Sequence, residues 1–177
     1  MNKQILEKSF KPYLTSSEIG IAIQKIADQI NLDYQDKNPL FIAILNGSFI
    51  FASDLFKKID IPAEISFIKL ASYQGTKSTG NVITAIGLET DLFDRHVVVL
   101  EDIIDTGKTL SAFLPQLQHQ QPKSLKVCTL LHKKEATKYQ ITIDYLGFEI
   151  PDLFVVGYGL DYNGYGRNLD QIMQINE

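Results

Sequence analysis

The chain has 177 residues, 45% of them hydrophobic and 21% charged, and a formal net charge of −4. That length suits one domain and buries roughly 70% of the unfolded surface, enough for a core without a disulfide or metal staple, and the sole cysteine, Cys128, excludes a disulfide framework or a cysteine-based zinc site. The apolar runs fall far short of the roughly 20 residues a membrane helix requires, and the acidic balance argues against a nucleic-acid binder while leaving room for a local site for a small phosphorylated ligand.

The opening stretch, MNKQILEKSFK, has no apolar core and no small-residue cleavage site, so a cytoplasmic protein is expected. Thr15 to Ile30 reads as a helix, with Ile19, Ile23, Ile26 and Ile30 at helical spacing and Thr15 and Glu18 in a capping-box pattern. Phe41 to Leu45 reads as a buried strand, broken by Asn46-Gly47-Ser48 before a second helix over Phe49 to Lys58. Ala63 to Leu70 alternates as a strand does. The polar stretch Ala71 to Asn81, with Gly75 and Gly80, reads as a long loop, and Val82 to Ile86 as a short strand. Val97 to Leu100 has the β-branched character of a central parallel strand. A helix over about Lys108 to Gln118, a buried strand at Leu125 to Leu131 and another at Phe154 to Val156 follow.

Strands alternating with helices predict an α/β fold: a mostly parallel sheet with helices on both faces. In such sheets ligands sit at the carboxyl ends of the strands. Polar residues do follow the apolar runs, at Asn46-Gly47, at Glu101 to Thr109, at Lys133-Lys134 and after Val156.

Val97 to Leu110, VVVLEDIIDTGKTL, is the strongest signal. Glu101 and Asp102 close a strand, Asp105 stands at a turn with Thr106 and Gly107, and a helix begins. The first amides of that helix have no intrahelical partner and face any anion placed before them, helped by the helix dipole. Thr106 and Thr109 add hydroxyl donors. The segment reads as a phosphate cradle fronted by carboxylates, which suit ribose hydroxyls, a divalent cation or a proton in transfer. Gly107-Lys108-Thr109 is not the end of a Walker A loop, because Asp102 stands where that loop needs a glycine.

This segment resembles the phosphoribosyl-diphosphate (PRPP) signature of type I phosphoribosyltransferases. The resemblance implies that fold with a small added hood, built from N-terminal and C-terminal segments on a single domain of residues 1–177. It implies that Glu101 and Asp102 hold the ribose hydroxyls and that Asp105, Thr106, Gly107, Lys108 and Thr109 bind the 5′-phosphate. LLHKK around Lys133, and YLGFEIPDLFVVGYGLDYNGYGRNLDQI from Tyr145 to Ile172, resemble the hypoxanthine-guanine phosphoribosyltransferase family, a likeness spanning nearly the whole chain.

A lysine ammonium only donates hydrogen bonds, so Lys133 favours the exocyclic oxygen of a 6-oxopurine over the amine of adenine. Phe154 offers a flat apolar face to stack on a purine. By the resemblance, the Val155 backbone meets the purine edge, and Asp161 lies beside the purine and a second Mg²⁺. Asn46, Gly47, Ser72, Tyr73 and Arg167 hold the pyrophosphate, and Glu101, Asp102 and Asp161 contact metal. The implied reaction is purine salvage: PRPP and hypoxanthine or guanine give IMP or GMP, with Asp105 as general base and the 71–81 loop as lid. A homodimer or homotetramer, a cis peptide between Leu45 and Asn46, and no nucleic-acid or membrane partner complete the expectation.

Family members often carry a basic residue at the place of Asn46 and a lysine at that of Ala71, so pyrophosphate binding here would lean on backbone amides, Mg²⁺ and Arg167. A xanthine-preferring enzyme and a nucleotide-sensing RNA-binding regulator on the same fold are the alternative readings. Lys133 suits any 6-oxo base, and the acidic balance disfavours RNA.

Overall fold

A computed structural model describes residues 1–73 and 82–176, with side chains placed for 1–70 and 87–176. The lid expected at 71–81 therefore lies, from residue 74 onward, outside the described residues, as do the side chains of Ser72 and Tyr73.

The first helix, α1 (Ser16–Asp33), starts as its sequence predicts. Thr15 Oγ1 accepts from the Glu18 amide at 3.3 Å and Glu18 Oε2 accepts from the Thr15 amide at 2.8 Å, closing the capping box. The spaced isoleucines Ile19, Ile23, Ile26 and Ile30 are all buried. Among the described residues, α2 (Phe49–Phe56) and α3 (Lys108–His119) are the other helices.

The main sheet has six strands: β5 (Val82–Ile86), β4 (Glu64–Tyr73), β3 (Leu40–Leu45), β6 (His96–Ile104), β7 (Ser124–His132) and β8 (Tyr145–Glu149), in that spatial order. All neighbours from β4 to β8 run parallel, and β5 alone is antiparallel. Period-two alternation sorts the buried residues onto the two faces. Phe41, Ala43, Val98, Leu100, Cys128 and Leu130 pack with α1 and α2, while Leu40, Ile42, Ile44, Val97, Val99 and Val127 pack with Leu110, Phe113 and Leu117 of α3. Helices thus cover both faces, and the central strands β3 and β6 are apolar on both sides.

Three expectations need correction. Strand β6 does not stop at Leu100; it runs through Ile104, so Glu101 and Asp102 lie inside the strand and only Asp105 opens the turn. The apolar pair Ile103-Ile104 keeps the ladder with β7 going, at Ile103↔Leu131 and Ile104↔His132. Strand β4 likewise runs on to Tyr73, zipped to β5 at Tyr73↔Val82. Val155–Val156 does not join the main sheet: it is β9 of a separate four-stranded sheet, in the order β1 (Lys3–Ile5), β2 (Lys8–Leu14), β10 (Ile172–Ile175), β9. That sheet ties the two ends of the chain together around Ile5, Phe10, Val156 and Met173. The main sheet's edge is instead β8, which its sequence hides: only Tyr145 of YLGFE is fully buried.

Parallel strands deliver their carboxyl ends to one edge. The turns after β3, β6, β7 and β8 hold Asn46-Gly47, Asp105, Lys133 and Asp152.

Candidate active site

Three groups of side chains gather along this edge. The first is the carboxylate pair of β6. Asp102 is 9% exposed, and the Glu101 Oε2 atom is buried without a hydrogen-bond partner. Burial, with the Asp102 carboxylate beside it, pushes the Glu101 carboxyl well above the usual carboxylate range. Burial raises Asp102 as well, opposed by amide hydrogen bonds and the Arg167 guanidinium. Two acidic groups side by side in a low dielectric destabilise each other unless a cation or hydroxyl donors sit between them. The orphaned oxygen therefore suits a donor or a metal, and fits both the ribose and the Mg²⁺ roles that the resemblance implies. Among the described residues no group of three or more His, Cys, Asp or Glu stands close enough to hold a metal ion.

Above this pair sits the turn after β3. The Leu45–Asn46 peptide is cis, as the resemblance implies. A β-carbon on Gly47 would lie 1.6 Å from Asp102 Oδ2, and one on Gly159 would lie 2.0 Å from the Gly47 carbonyl oxygen. The chain after β9 thus rests on the β3 turn, which rests on the carboxylate. Arg167 Nη2 pairs with Asp161 Oδ1 at 2.6 Å, its Nη1 donates to the Gly159 carbonyl at 2.7 Å, and Asp161 Oδ2 accepts from the Gly164 amide at 2.6 Å. The fold therefore brings together Asn46-Gly47, Asp102, Asp161 and Arg167, although Arg167 is engaged by Asp161 rather than held out for an anion.

The second group is the cradle. A cavity of about 100 Å³ is lined by Glu101, Ile103, Ile104 and every residue from Asp105 to Leu110. Gly107 caps α3 in the left-handed region at φ 79°, where a side chain would be strained. A β-carbon there would also meet the Tyr139 carbonyl oxygen at 2.9 Å and Ile141 Cδ1 at 3.0 Å, both in the segment behind the loop. Thr106 Oγ1 accepts from the Lys108 amide at 3.3 Å, and the side chains of Lys108 and Thr109 are exposed.

The third group is an ion-pair chain. Lys133, only 7% exposed, donates from Nζ to Asp105 Oδ2 at 2.9 Å and to Asp152 Oδ1 at 3.1 Å. Burial alone would lower its pKa, but the hydrogen bonds to the two carboxylates outweigh that and hold it above the ordinary lysine value. Asp105 is therefore paired with a cation. Two of three ammonium hydrogens are used, leaving one donor. Phe154 is 46% exposed and packs on the smaller sheet, edge-on to Tyr162 with ring centroids 5.9 Å apart. The buried Val155 follows it. Tyr158 is buried with its hydroxyl donating to Asp54, while Tyr165 is exposed.

Sequence reasoning passed over Asp152 and Thr137. Asp152 lies in EIPD, inside the stretch that carried the family likeness, but an acidic residue after a proline reads as a turn. Thr137 Oγ1 donates to the carbonyls of Asp105 and Lys133, and nothing in the pattern KKEATK distinguishes it.

The chain is similar to known proteins in sequence and in fold. The family model described as phosphoribosyl transferase domain matches residues 9–163. The chain is 44% identical over 161 residues to a hypoxanthine-guanine-xanthine phosphoribosyltransferase of Tritrichomonas foetus, covering 90% of this chain and 88% of that one. It is 41% identical over 173 residues to a hypoxanthine phosphoribosyltransferase of Buchnera aphidicola, covering 96% and 98%. A crystal structure of a hypoxanthine phosphoribosyltransferase from Staphylococcus aureus superposes with a TM-score of 0.87 at 37% identity, over 94% of this chain and 91% of that one.

Proposed function

The chain belongs to the phosphoribosyl transferase domain family, among its hypoxanthine-guanine members, and from that premise we propose that it transfers the 5-phosphoribosyl group of PRPP to hypoxanthine or guanine, releasing pyrophosphate. The observation that carries this reading is the Lys133–Asp105 pair, 2.9 Å apart beside the cradle. A 6-oxopurine carries an acceptor at O6 and, in its N7–H form, a donor next to it. An ammonium and a carboxylate side by side meet both at once. Adenine would present its amine to the ammonium, donor against donor.

In this reading the 5′-phosphate sits on the amides at the start of α3 with the hydroxyls of Thr106 and Thr109. Glu101 and Asp102 hold the ribose hydroxyls. N9 of the purine displaces pyrophosphate at the anomeric carbon while Asp105 accepts the proton from N7. Positive charge grows on the ribose ring as the leaving group departs, and the buried carboxylates face that charge. Phe154 stacks on the base and the Val155 backbone meets its edge. Asn46, Gly47 and Arg167 bind pyrophosphate, Arg167 exchanging Asp161 for the leaving group. Ser72 and Tyr73 belong to the same subsite by resemblance alone. Mg²⁺, which the family generally uses with PRPP, would be held by Glu101 and Asp102 with substrate oxygens, a second ion lying beside Asp161, and would offset the charge of the leaving pyrophosphate.

The Tritrichomonas relative is named for xanthine as well as hypoxanthine and guanine, which favours xanthine as a further base here, since Lys133 reads only O6. One assay decides: PRPP and Mg²⁺ with hypoxanthine, guanine, xanthine, adenine or uracil, followed for nucleotide. Product from hypoxanthine and guanine but not adenine or uracil is expected; product from adenine alone would overturn the reading.

A further inference from the structure

We propose that the Thr137 hydroxyl is a positioning group for the Lys133–Asp105 pair, holding the two residues in register through their backbone carbonyls. This rests on the purine-edge role given to that pair above.

Lys133 and Asp105 both lie beyond the last rung of the β6–β7 ladder, Ile104↔His132. The sheet alone therefore does not fix their spacing. Thr137 lies in the irregular segment between β7 and β8. Its Oγ1 is 2.9 Å from the Asp105 carbonyl oxygen and 2.9 Å from the Lys133 carbonyl oxygen. The third neighbour is His132 Nε2, at 3.0 Å. A hydroxyl has one hydrogen and two lone pairs. The carbonyls only accept, so the hydrogen lies between them and a lone pair faces the imidazole. That assigns the histidine proton to Nε2, donating to Thr137. One oxygen thereby joins the β6 turn and the end of β7 at the two residues whose side chains meet.

The surrounding backbone bonds fasten the same two loops but not at Asp105. Lys133 N donates to Ile104 O at 2.9 Å, and the Lys138 and Tyr139 amides donate to Thr106 O at 3.0 and 3.2 Å. Thr137 supplies the contact at Asp105 itself. Without it the Asp105 carbonyl loses this partner and the turn can drift relative to Lys133. Misplacing a reacting group by about 1 Å can cost on the order of 10²-fold in rate. Because the drift is at the base edge, turnover and base choice should suffer together, while the rest of the cradle, fastened at the Thr106 carbonyl, moves little.

The test is steady-state kinetics of the parent, Thr137→Val and Thr137→Ser with hypoxanthine and with adenine, alongside thermal melts. Thr137→Val should lose about tenfold or more in kcat with hypoxanthine, keep KM for PRPP within about twofold, and show a weaker preference for hypoxanthine over adenine. Thr137→Ser, which keeps the hydroxyl, should restore both. A parent that makes no nucleotide overturns the proposed function before any variant is read. An active parent with a Thr137→Val of parental kcat and preference overturns the role of Thr137 alone, as does a folded Thr137→Ser that restores neither. If Thr137→Val does not fold, Thr137→Ala carries the same reading; failure of both to fold beside a folded Thr137→Ser would make the hydroxyl a folding requirement and overturn the positioning role.

Discussion

The Asp102 carboxylate occupies the space that a β-carbon on Gly47 would need: the ideal position lies 1.6 Å from Oδ2 and 2.5 Å from Cγ. The turn after β3 and the carboxylate of β6 are therefore in direct contact, backbone against side chain. The subsites proposed for pyrophosphate and ribose, on different strands, would then share one wall.

Gly47→Ala should consequently push Asp102 aside rather than merely stiffen a turn. Overpacking of this kind costs roughly 1–3 kcal/mol, and here it falls on a group assigned to ribose. KM for PRPP is expected to rise about tenfold or more, with a smaller effect on hypoxanthine. Isotherms for PRPP that match the parent would remove the contact from any functional role.

Asp105→Asn removes the proposed proton acceptor while keeping its size. Turnover is expected to fall about 10²-fold or more, the scale of losing a general base, with PRPP binding retained because the cradle amides are untouched. Single-turnover rates separate the two effects, and near-parental chemistry would assign the N7 proton to another group.

Lys133→Gln replaces a donor-only group with one that can also accept. Discrimination against adenine should relax, and Asp152, which accepts from Lys133 at 3.1 Å, should matter less in that background. The measurement is the ratio of kcat/KM for hypoxanthine and adenine; an unchanged ratio would place base choice elsewhere.

At the opposite end of the sheet, the Tyr145 hydroxyl donates to Asp33 Oδ2 at 2.6 Å, and Lys126 Nζ lies 3.2 Å from the same oxygen. The Tyr145 hydrogen bond first, then those from Gln29 and Lys126, hold Asp33 below its usual value, against burial that would raise it. A carboxyl depressed on folding stabilises above its unfolded pKa of about 3.9, and that contribution is lost as pH falls through the folded value. Tyr145→Phe should cost about 1.5–3 kcal/mol at pH 7, the range for a hydrogen bond to a charged group. The gap to the parent should narrow below about pH 4. Urea melts at pH 7 and pH 3 test this; a gap equal at both would mean that packing, not the ionised pair, sets the loss.

What the sequence determined by itself is what short-range rules govern. Thr15 and Glu18 cap α1 because they are three residues apart, and the isoleucines following them share a face by helical spacing. The runs at Phe41, Val97 and Leu125 became central strands because they are apolar on both sides, as only a covered parallel sheet requires. Glu101 to Thr109 could be read as a site because strand, turn and helix start adjoin in one segment. The tertiary structure decided what depends on distant pairing. Strand β8, with a glycine at its centre and one fully buried residue, is a strand because β7 offers it an edge. Val155–Val156 leaves the main sheet because β10 pairs with it, and β10 in turn joins the start of the chain. Lys133 meets Asp105 across 28 residues and Asp152 across 19, and Thr137 reaches Asp105 across 32. No local pattern encodes those separations, since hydrogen bonds between loops form only after the parallel ladder has set the two strand ends side by side.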